Sequence, residues 1–93
     1  MAKVYVLAHH TVEETYAPRV FTNKKNAQKA LKAEYRQLLI DACDFSDDVK
    51  DKDLEEESFY VYSKEHSANF AKIVWNDNNY DRLDIFEVEV EDK

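Results

Sequence analysis

The chain has no glycine in its 93 residues. Glycine-rich phosphate loops and dinucleotide-binding fingerprints need backbone room that only glycine gives, so both are excluded. Tight turns fall instead to Asn and Asp, which tolerate left-handed backbone and hydrogen-bond their own main chain. Asn69, Asn76, Asp77, Asn78 and Asn79 stand where turns are wanted. The single cysteine, Cys43, permits no internal disulfide and fits a reducing compartment. No uncharged run approaches the roughly 20 apolar residues of a membrane span, and the first residues lack the apolar core of a signal peptide. The expectation is a cytoplasmic protein with no membrane partner.

What is present suffices for one small domain over residues 1–93. A hydrophobic content of 44%, with 13% aromatic residues, argues against whole-chain disorder despite 35% charge. A chain this short buries only about 60–65% of its extended surface, which leaves room for one core but little for an enclosed catalytic cavity. Charge is divided along the chain. The formal net charge of −7 is contained in Asp41–Glu57, where nine carboxylates meet two lysines. Residues 1–40 are basic and residues 77–93 acidic. Such separation bears on solubility and partners more than on fold.

Hydrophobic periodicity gives the order ββαβββ. Residues 3–9 alternate, with Val4, Val6 and Ala8 on one side and Lys3, Tyr5, Leu7 and His9 on the other, as in a central strand with one face covered and the other decorated by tyrosine. A polar link, 10–17, leads past Pro18 into a short strand, RVFT, where proline is tolerated at the first position. That link is longer than a tight turn and is expected to hold local structure or to act as a binding loop. Thr22 or Asn23 can cap a helix running to about Ala42. At 100° per residue, Ala27, Ala30, Leu31, Tyr35, Leu38 and Ala42 form a core-facing stripe, with Lys25, Lys29, Lys32 and Arg36 opposite. Three more strands follow at 58–64, 69–76 and 82–90. In the last, Phe86, Val88 and Val90 alternate with Glu87, Glu89 and Glu91, reading as a half-solvated antiparallel strand. Phe59, Val61, Ile73 and Val88 are the expected core of this half. The fold class is α+β: a two-layer, mostly antiparallel sheet of four to five strands with one long helix on one face.

No chemistry-bearing motif assembles. A 12-residue calcium loop begun at Asp44 finds Ser46, Asp48 and Glu55 in place. It meets Val49 where glycine is required, Asp51 at the apolar position and Lys52 at position 9, so no specific calcium site is expected and 41–57 reads as an acidic surface stretch. His9, His10, His66, Cys43, Glu13 and Glu14 lack metal-ligand spacing, and the adjacent His9 and His10 point to opposite sides of a strand. Serines 46, 58, 63 and 67 have no nucleophile elbow or oxyanion loop. Cys43, at a helix end beside Asp41 and Asp44, has its thiol disfavoured as a thiolate. No catalytic, metal or cofactor-binding residue is assigned, no cofactor is expected, and the chain is read as not an enzyme.

Surfaces are more informative. Six tyrosines are many for this length, and tyrosine offers binding area with few rotamers. Tyr60, Tyr62, Trp75 and Tyr80 are candidate protein-interface residues, together with the basic stripe Lys25, Lys29, Lys32 and Arg36. That stripe is read as a solvated face or as a partner for an acidic surface; direct nucleic-acid binding is not expected in so acidic a chain. Asp47, Asp48, Asp51, Asp53, Glu55, Glu56, Glu57, Glu87, Glu89 and Glu91 form a candidate nucleic-acid-mimicking surface. Acids two apart on a strand stand about 6.5–7 Å from each other, near the spacing of phosphates.

The segments KVYVLAHH, RVFTNKKNAQKALKAEY and FEVEVE together resemble a layout found in small uncharacterised bacterial and phage-type proteins. There a "VYV…H" strand and a short strand ending in "VFT/FS" precede a helix with an "xxxAxxAL" opening, and the chain closes in an acidic strand. The resemblance covers about 40 of the 93 residues; many such proteins are encoded beside mobile elements, so it implies an accessory or host-interaction role, with no functional residue carried over. The acidic stretch 44–57 departs from that layout. The expected function is therefore a non-enzymatic protein-binding or regulatory protein that self-associates as a dimer or looser oligomer. A nucleic-acid mimic that inhibits a DNA- or RNA-binding protein is the alternative, and a small hydrolase a remoter one.

Overall fold

Asn23 starts the long helix. Its side-chain oxygen accepts hydrogen bonds from the amides of Lys25 and Asn26 at 2.8 and 3.3 Å, satisfying two of the donors a helix leaves open at its start. The first helical bond runs from Ala27 N to Asn23 O. In the computed structural model, which describes residues 2–43, 46, 48–54 and 61–90, this helix, α1, spans Lys24–Cys43. Strands β1 (Ala2–Thr11) and β2 (Arg19–Phe21) precede it. A single-turn helix, α2 (Asp51–Leu54), and strands β3 (Val61–His66), β4 (Phe70–Trp75) and β5 (Tyr80–Val90) follow. Apart from the short α2, this is the expected ββαβββ plan.

The five strands form one sheet in the order β2-β1-β5-β4-β3, with every neighbouring pair antiparallel. First and last strands are therefore central neighbours, paired over ten residues each. The chain leaves the sheet at one edge, β2, and re-enters at the other, β3. Four strand intervals span about 19 Å and a 20-residue helix is about 30 Å long, so α1 is long enough to cross the whole sheet, and it contacts β1, β2, β4 and β5. The absent glycine is replaced as expected: Asn78 adopts φ 69° in the β4–β5 turn, where Asn78 N donates to Trp75 O and Asp77 Oδ1 caps Asn79 N.

The core lies between α1 and one sheet face. Leu7, Ala71, Ile73 and Leu83 from the strands meet Leu31, Tyr35, Leu39 and Ile40 from the helix, all buried. Each such large apolar side chain contributes roughly 1.5–3 kcal/mol by leaving water. Three expectations need correction. On α1, Ala27, Leu31 and Tyr35 are buried as read, but Leu39 and Ile40 join them and Ala42 is exposed. Val49 packs on the same cluster, so the chain beyond α1 adds cover at its end that a helical wheel omits. On β1 the set containing Tyr5 and Leu7 faces the helix, not the set Val4, Val6 and Ala8. Val88 is exposed, not core, while Ile73 is buried and Val61 half-buried; Phe59 lies outside the described residues.

Candidate functional site

Register fixes which residues share the sheet face opposite the helix. Leu7 pairs with Ile85 and His9 with Leu83 on the covered side, so Val4↔Val88 and Val6↔Phe86 stand on the other. Val20 joins them through its pairing with Val6. The β1–β5 register runs without a shift from Ala2↔Val90 to Thr11↔Asp81, so the apolar sequence changes sides between Ile85 and Phe86 while the backbone does not. The result is a patch of Val4, Val6, Ala8, Val20, Phe86, Val88 and Val90. Within it Val20 is 62%, Phe86 53%, Val88 43% and Val90 39% exposed. A contiguous apolar surface of this kind marks an interaction site more often than scattered exposed apolar residues do.

The other half of this face is polar. Arg82 donates to Asp84 at 2.8 Å and its guanidinium lies 5.0 Å over the Phe70 ring; the bond and the charge of Asp84 raise the Arg82 pKa further. Lys72 sits 5.5 Å over the Tyr80 ring, which His10 meets edge-on. Tyr80 is thus on the outer face as a half-buried partner for a cation. Tyr62 occupies the irregularity where the β3–β4 register shifts between Val61 and Ser63 and is 76% exposed. An extra residue in a strand is left unpaired and re-aimed, so Tyr62 projects at the sheet edge. Tyr60 lies outside the described residues.

Trp75 is not part of the outer surface. It packs against the core on the helix side, and its Nε1 donates to Asp81 Oδ2 at 2.8 Å. Asp81 Oδ1 is 2.7 Å from His9 Nε2, and the His9 ring stacks on Tyr16 at 4.5 Å. The Tyr16 amide donates to His9 O, and Thr11 Oγ1 accepts from the amides of Glu13 and Glu14. The link after β1 is therefore a structured loop pinned through His9. The negative charge of Glu14 raises the Tyr16 phenol pKa. A cavity of about 210 Å³ beside this network is lined by Leu7, His9, Tyr16, Ala17, Arg19, Glu34 and Leu83. Among its described lining residues it offers one imidazole, His9, and one carboxylate, Glu34, with no Ser, Thr or Cys. The partner of His9 is 72 positions away in sequence, which no local signal reveals.

The basic stripe meets the acidic stretch of its own chain. Lys32 Nζ is 3.2 Å from Asp51 Oδ2, Arg36 pairs with Asp51 Oδ1, and Arg36 Nη2 donates to Val49 O at 2.9 Å. Lys25 and Lys29 remain exposed and line, with Lys32, a groove of about 330 Å³ toward Ser67 and Ala68. Of the mimic residues, Asp48, Asp51 and Asp53 belong to the segment on α1. Glu87 and Glu89 stand on the helix side of β5, with Glu87 3.7 Å from Lys3. Asp47, Glu55, Glu56, Glu57 and Glu91 lie outside the described residues. Strand β5 and α2 are not in contact, so the described acids make two separate groups. Among the described residues no three His, Cys, Asp or Glu side chains gather closely enough to hold a metal, and no helix is long and apolar enough to cross a membrane.

No family model, curated protein or solved structure matches the chain.

Proposed function

We propose that this chain is a non-enzymatic protein-recognition module, accessory or regulatory in role, that works through the outer face of its sheet. One observation carries the reading: the apolar residues of β5 change sides between Ile85 and Phe86 in unbroken register. Nothing in the core requires Phe86, Val88 and Val90. A solvated strand end would be served by Thr, Lys or Glu, and apolar area left in water forgoes about 25 cal/mol per Å² that covering it would return. A protein partner is the cover that suits a flat apolar face with a polar border, where aromatic and aliphatic anchors carry most of the affinity.

The nucleic-acid-mimic reading is less well supported. Asp51 is paired with Lys32 and Arg36, and Glu87 with Lys3, so part of the acidic charge is answered within the chain. The test is a comparison of affinities for a partner captured from lysate, identified and purified. Phe86→Ser should weaken binding by at least about 30-fold, the loss typical of a hot spot. A variant carrying Asn or Gln at 48, 51, 53, 87 and 89 should bind within a few-fold of the parent. The reverse result would assign the function to the carboxylates and overturn the proposal.

A further inference from the structure

We infer that the occupant of the outer face is a second copy of this chain, packed sheet to sheet about a two-fold axis. The inference rests on the reading of that face as a recognition surface and names its partner. Three observations point to self-pairing. First, the patch is free of charge in a chain whose formal net charge is −7. An isologous contact brings each patch onto itself, so a charged patch would repel its copy, whereas Val4, Val6, Val20, Phe86, Val88 and Val90 do not. Second, apart from Asp84 and Glu65 in the polar half, the described acids of β5 and α2 lie on the far side. Glu87 and Glu89 stand on the opposite side of β5, and Asp51 is held against α1 by Lys32 and Arg36. Face-to-face packing with sheets about 10 Å apart then leaves the two α2 segments, each held on α1 and touching no strand, separated by both sheets. That distance exceeds the Debye length of about 8 Å at physiological ionic strength, so their repulsion is screened.

Third, the area is adequate. Five strands about 4.8 Å apart, with central strands about 33 Å long, give a face of several hundred Å². This is the scale of the about 800 Å² that each partner contributes to a standard interface. The polar half, with Lys72 and Arg82 against Asp84 and Glu65, is balanced in sign and suits a hydrated rim. The assembly is a four-layer sandwich, helix–sheet–sheet–helix, in which Phe86, Val88 and Val90 become core.

Sedimentation equilibrium of the full chain from 1 to 100 µM tests this. The parent should sediment at twice its 11.0 kDa mass. Val88→Lys and, separately, Val20→Lys place a charge in the contact and should raise the dissociation constant by at least about 30-fold; both sites are exposed in the single chain, so helical circular dichroism should be unchanged. Asp51→Asn, on the far side, should leave the dimer intact. A dimer that survives both lysine variants overturns the face assignment. A parent that stays monomeric throughout overturns self-pairing, and an apolar fluorescent dye then separates the two readings. Dye binding lost in Val88→Lys leaves the face available to a different protein, whereas absence of dye binding to the monomer overturns the recognition surface as well.

Discussion

The two sides of β5 use the same kinds of residue and meet different environments. Leu83 is buried and Ile85 half-buried under α1, while Phe86, Val88 and Val90, on the reverse side, stand in water. Composition does not distinguish them. The difference is one of cover: a two-layer domain with one helix protects one sheet face, and the other face keeps whatever its residues provide. The covered side accounts for the stability of the single chain. The open side is free to account for association.

The sharpest way to break this comparison is to truncate one residue on each side. Leu83→Ala removes a fully buried side chain from the packed cluster and should cost about 2–5 kcal/mol of unfolding free energy. Val88→Ala should cost less than about 0.5 kcal/mol in the monomer, as exposed substitutions do. At concentrations where chains associate, its cost should grow, because binding to the native state alone adds stability by mass action. Urea denaturation at two concentrations measures both. Equal losses at high dilution would mean that the outer face is structural.

A second contrast lies three residues apart on the same strand. Asp81, on the helix side, binds both His9 Nε2 and Trp75 Nε1; Asp84, on the outer side, binds the half-exposed Arg82. Asp81→Asn turns one acceptor oxygen into a donor and leaves a partly buried partner unsatisfied, which should cost about 1–3 kcal/mol. Fluorescence of Trp75, the only tryptophan, should change with it. Asp84→Asn should cost less and leave that fluorescence alone. A smaller loss at 81 than at 84 would show that the His9 network is ornamental to folding.

The sequence made the element order legible because the helix and the strands are each periodic, and Pro18, Asn23 and the Asn/Asp run 76–79 mark boundaries between them. It also made Asn78 legible as a turn residue, since a chain without glycine has few other ways to reach positive φ. The outer patch was present in the text as Leu83-x-Ile85-Phe86-x-Val88-x-Val90. Read alone, the last three alternate so cleanly that they claim the core; only the register with β1 shows that Leu83 and Ile85 already hold it. Trp75 shows the same limit: an aromatic residue in a sheet gives no sign of its face until its neighbours Ala71 and Ile73 are known to be buried. The bonds from Lys32 and Arg36 to Asp51, and from His9 to Asp81, depend on tertiary return of the chain and have no local signature.

The smallest expected effect concerns the helix layer, where the contact of α2 with α1 is electrostatic and the outer patch is not. Asp51 and Lys32 are both more than half exposed, so their pair is worth at most about 1 kcal/mol after screening and side-chain ordering. Asp51→Asn, which also loosens the pair with Arg36, should therefore lower stability by at most about 1–2 kcal/mol at low ionic strength. At about 1 M salt, where the Debye length falls to about 3 Å, parent and variant should converge. Arg36→Gln should cost more than Asp51→Asn, because it also removes the donor to Val49 O, and that excess should persist in salt. Association through the outer face should respond in the opposite sense, strengthening slightly as salt screens the net charge of two acidic chains. Dimer formation that weakens steeply with salt would instead place the contact between the basic stripe of one copy and the acidic segment of another, and would move the recognition surface from the sheet to the helix.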